Sequence, residues 1–143
     1  MPYATQDGLI ARVGEAMLID LTDRAMPPAG AIDAGVVLAA LEDTDALIDG
    51  YLAGRYALPL AVTPRLLATA AETIAIYKLH AQVVSEKIEK DYRDQLKLLA
   101  AIAAGDVRLP GADGVEPAAP GASGVRTIDR DREMTPETMR GYI

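Results

Sequence analysis

The sequence has 143 residues, enough for one domain and too few for two independent cores of ordinary size. Half of it is apolar, but aromatic residues make up 4% and all six are tyrosines, so Ala, Leu, Ile and Val must fill the core, a mixture that favours packed helices over stacked sheets. A net charge of −7 argues against gripping a phosphate backbone or reading a nucleic-acid sequence, and the absence of cysteine excludes disulfides, thiolate chemistry and cysteine metal sites, as in a reducing compartment.

In chain order, Thr5 is positioned to cap a short helix running to Gly14, with Leu9, Ile10 and Val13 as its apolar surface and Gly8 weakening it. A second turn of helix is expected across Ala16, Met17, Leu18 and Leu21. Met26-Pro27-Pro28-Ala29-Gly30 then interrupts it, since consecutive prolines do not fit a helix interior. From Asp33 to about Ala53, Val37, Leu41, Ile48 and Leu52 recur at helical spacing, with Asp33 as the N-cap and Gly54 and Pro59 bracketing the end.

Thr63 and Pro64 predict the start of the most apolar helix, which runs to about Gln82 through Leu66, Leu67, Ala70, Ala71, Ile74, Ala75, Tyr77 and Ala81. Ser85 is a cap for a last long helix carrying Ile88, Tyr92, Leu96, Leu99 and Ala103 on one face, stopped by Gly105. Residues 110–124 are dense in Gly, Pro, Ala and Asp and read as a linker or surface arm, and Thr135-Pro136-Glu137 starts at most one short terminal helix. The fold expected is therefore all-α: a compact bundle of about four helices in residues 1–105, the short N-terminal element counted among them, and a flexible C-terminal arm in residues 106–143. No basic leader precedes an apolar run, and Leu58 to Ala71 is broken by Pro59, Pro64 and Arg65, far short of a membrane span.

No catalytic grouping stands out. His80 is the single histidine and has neither a paired histidine nor a nucleophile motif near it, so it reads as a helix-end side chain. Asp43, Asp45 and Asp49 lack the glycine turn and terminal acidic ligand of a calcium loop, and no metal or cofactor is expected. Glu42, Asp45 and Asp49 instead form an acidic row on one helix, which suits solvent, a positively charged partner or the lining of a water-filled passage. Tyr51, Arg55 and Tyr56 combine contact area with directional hydrogen bonding beside Gly54 and Pro59, and both a subunit or partner interface and packing within the chain fit them.

Ile48 to Leu60, with Tyr3-Ala4-Thr5-Gln6-Asp7, Arg12-Val13-Gly14-Glu15 and Leu21-Thr22-Asp23-Arg24, resembles the head–tail connector proteins of Mu-like phages and prophages. The likeness continues through the apolar 64–82 helix and Tyr92 to Gly105. The chain differs from that pattern in having Val13 where an aromatic is common, Gly8 beside the first acidic residue, and no phenylalanine. The resemblance implies a structural neck or head-completion protein with no enzymatic activity. It implies a homo-oligomeric ring bound to a portal protein and to a tail or stopper protein, in the virion neck and in host cytoplasm during assembly. A small cytoplasmic helical adaptor that binds another protein is the alternative the same amphipathic helices allow.

Overall fold

The computed structural model describes residues 2–81 and 84–110, and five α-helices account for most of them: α1 (Gln6–Val13), α2 (Glu15–Thr22), α3 (Ala34–Leu52), α4 (Arg65–Leu79) and α5 (Glu86–Ala104). The fold is all-α, as expected, with one helix more than the four anticipated. The additional helix arises at Gly14, whose φ of 86° breaks the N-terminal stretch in two. Its N–H closes α1 on the Ile10 carbonyl, and its own carbonyl accepts the first bond of α2 from Leu18. Of the arm expected in residues 106–143, residues 111–143 lie outside the described residues.

Local chemistry accounts for most helix ends. Thr5 Oγ1 accepts the Gly8 N–H, Asp33 Oδ1 accepts those of Gly35 and Val36, and Ser85 Oγ accepts that of Ile88, each relieving a first-turn donor with no partner inside its helix. α4 starts one residue later than expected, with Pro64 rather than Thr63 at its N-cap and no side-chain cap. It also ends earlier than Gln82, at Leu79, where His80 leaves helical geometry and its Nδ1 donates to the Ile76 carbonyl at 2.7 Å. Gly105 ends α5 in the left-handed region at φ 95°, its N–H and that of Asp106 returning to the Ile102 and Ala101 carbonyls.

α3, α4 and α5 pack against one another, with α4 the most enclosed, burying Leu67, Ala70, Ala71, Ile74, Ala75, Ile76 and Leu79. Small residues on α4 let its neighbours approach, and the buried Thr44 and Thr73 hydroxyls donate to the carbonyls four residues back, so neither leaves a polar group unpaired. α1 lies across α4, where Arg12 bonds the Glu72 carboxylate at 3.1 Å. Gly8 sits at this crossing, and a Cβ there would stand 2.9 Å from Glu72 Oε1. α5 buries Leu99 and Ile102 completely, while Ile88, Tyr92 and Leu96 are half-buried.

Candidate functional site

The acidic row on α3 is divided by the chain's own N-terminal segment. The Tyr3 N–H donates to Asp45 Oδ1 at 3.0 Å and its phenol donates to Asp49 Oδ1 at 2.5 Å, so two of the three carboxylates hold this segment against the helix. Tyr3 and Ala4 thereby join the hydrophobic core. Burial, followed by the hydrogen bond to Asp49, pushes the Tyr3 phenol far above its ordinary value. Burial also raises the Asp45 carboxyl, against the opposing pull of the Tyr3 N–H. Glu42 alone of the row is exposed. Asp43 lies on another side, near Lys78, whose ammonium pKa burial lowers and Asp43 partly restores.

At the other end of α3 the interface candidates separate. Tyr56 is buried and its hydroxyl accepts the Leu109 N–H at 3.3 Å, which gives this tyrosine an intramolecular role. The Arg55 guanidinium lies against Gly105, at the carbonyl end of α5, where a cation is favoured by the helix dipole. Tyr51 remains half-exposed, near Tyr92, which stacks on Tyr77 with ring centroids 3.9 Å apart. One tyrosine from each long helix thus reaches the same edge of the bundle. Burial raises the Tyr92 phenol first, and its two tyrosine neighbours add to this.

Two features escaped sequence reasoning. A cavity of about 630 Å³ lies between the N-terminal segment and the first half of α3, lined by Pro2, Ala4, Val37, Leu38 and Leu41 with Glu42 at its rim. The loop from Asp23 to Asp33 is tied at its base, where Asp23 carboxylate oxygens accept the Gly30 N–H at 2.7 Å and the Ala25 N–H at 3.3 Å, and the Asp33 N–H donates to Thr22 Oγ1. An acidic residue just before a Pro-Pro turn was the available signal for the second. Nothing local signals the first, because it needs the N-terminal segment folded back on α3. Among the described residues no three His, Cys, Asp or Glu side chains come together to hold a metal, and no helix is long and apolar enough to cross a membrane.

Comparison with known proteins gives this geometry a context. The family described as "Bacteriophage Mu, Gp36" matches residues 3–127, from the clamped Tyr3 through the whole of the described bundle. The chain is similar to "Gene product J" of Escherichia phage Mu, with 33% identity over 143 residues and the full length of both chains. It is also similar to "Mu-like prophage FluMu protein gp36" of Haemophilus influenzae, with 35% identity over 107 residues, 75% of this chain and 74% of that one.

Proposed function

We propose that the chain, which belongs to the bacteriophage Mu Gp36 family, serves as a structural head–tail connector whose copies close into a ring in the virion neck, between the portal protein and a tail or stopper protein. The observation that carries this reading is the full-length match to the phage Mu gene product, which spans the clamped N-terminal segment and every helix. Copies of one chain that meet through two different surfaces form rings when the rotation closes. Tyr51, Arg55 and Glu42, none of them buried, are the side chains we assign to contacts between neighbours. Tyr56, Asp45 and Asp49 shape that surface from within by holding Leu109 and Tyr3. Residues 111–143 are assigned to the arm that meets a neighbouring connector or a tail protein. Assembly takes place in the host cytoplasm, before the protein is fixed in the particle.

The test is to image the purified protein with and without portal-bearing heads. A discrete ring at the portal vertex is expected. Failure to bind any portal or tail component, under conditions that support particle assembly, overturns the proposal.

A further inference from the structure

Met26 is 97% exposed, and it does not stand alone: Ala25, Pro27, Pro28 and Ala29 around it are exposed as well, with no charged residue from Ala25 to Ile32. Flexible surface loops ordinarily carry polar residues at their tips. This one is held at its base by the Asp23 carboxylate on two backbone N–H groups and by the Thr22 hydroxyl on Asp33, with Gly30 at φ 67° turning the chain back. The hydrogen bonds hold an apolar tip out into water. The complementary feature is the cavity of about 630 Å³ on the first half of α3, where Leu38 is 56% exposed above Val37 and Leu41.

Charge makes the match directional. The exposed Arg24, whose guanidinium donates to the Leu79 carbonyl at 3.4 Å and must swing outward to meet a neighbour, precedes the tip, whereas the charged groups lining the groove among the described residues are both carboxylates, Glu42 and Asp45, and Asp45 is already engaged by Tyr3. From this we infer that the Met26-Pro27-Pro28 tip of one copy seats in the Leu38 groove of the next copy, with Arg24 facing Glu42 across the rim. Methionine suits such a contact because its unbranched side chain adapts to an irregular apolar groove. Each subunit carries one tip and one groove, so the contact is head-to-tail and propagates from copy to copy. It deepens the ring reading above and rests on it.

The sequence contains no cysteine, which allows a clean test. Met26→Cys and Leu38→Cys are introduced together in the full chain, and the protein is oxidised where the parent sediments as an oligomer, alone or with portal-bearing heads. The expected result is a ladder of disulfide-linked dimers, trimers and larger species. Val62→Cys with Leu38→Cys, a second pair of exposed apolar positions at 63% and 56%, should give no ladder. Arg24→Glu should reduce the oligomer severalfold at low salt, and adding Glu42→Arg should restore it. A parent that assembles while the 26–38 pair gives no ladder, or only a doubly linked dimer, overturns this contact and leaves the ring standing. A parent that stays monomeric even with portal present overturns the ring and the contact together.

Discussion

The two largest influences on the Asp45 carboxyl oppose each other. Burial disfavours its charge, while the Tyr3 N–H favours it, and burial is the larger, so the folded carboxyl titrates above the ordinary 3.8. For a carboxylate whose folded pKa is raised, the folded state holds more protons across the interval between the unfolded and folded values, and stability falls as pH rises through it. Asp45→Asn keeps an oxygen to accept the Tyr3 N–H and removes the charge. The variant should therefore unfold at a temperature no lower than the parent at neutral pH, and the difference should close as pH drops below 3.8. A difference that widens on acidification would show the ionised carboxylate to be stabilising. Asp23 behaves in the opposite sense: backbone bonds, led by that from Gly30, lower its carboxyl, so its contribution is present above 3.8 and lost as pH falls through the folded value.

Helix stops are decided by single residues, and Gly105 has two reasons to be glycine. Its φ of 95° lies where a side chain clashes with its own backbone, and the Arg55 guanidinium occupies the space a Cβ would enter. Gly105→Ala should cost at least about 1 to 2 kcal/mol in urea unfolding, more than alanine at an open left-handed cap, because Arg55 must also move. Within α5, Leu99→Ala should cost about 2 to 5 kcal/mol, while Leu96→Ala should cost clearly less, since Leu96 is only half-buried. This contrast marks what the sequence conveys about an element. A 3.6-residue period identifies the face of α5 that turns inward, yet it gives Leu96 and Leu99 the same weight, because depth depends on where α3 and α4 lie. Thr5, Asp33, Ser85 and Gly105 were legible as helix boundaries because capping is local chemistry. The clamp of Tyr3 on Asp45 and Asp49 joins residues 42 and 46 positions apart, and no local pattern announces it.

At the scale of the whole molecule the question is where the helical body ends. Composition places the change after Gly105, but the chain stays on the body beyond that point. Val107 packs against the core, and Leu109 is 5% exposed with its N–H on the Tyr56 hydroxyl, which fastens the segment after α5 to the one after α3. Two truncations separate the alternatives. A chain ending at Pro110 retains all of these contacts and should unfold with the parent's midpoint and slope in denaturant, the slope reporting the surface exposed on unfolding. A chain ending at Gly105 loses the buried Leu109 side chain, worth roughly 1.5 to 3 kcal/mol, together with the bond to Tyr56. It should keep most of its helical circular dichroism but unfold at lower denaturant. Equal midpoints for the two would show that the 106–110 segment contributes nothing and return the boundary to Gly105. Loss of helicity in the chain ending at Pro110 would mean that residues 111–143 help to fold the body, and would remove the basis for assigning them to an arm that acts only on assembly.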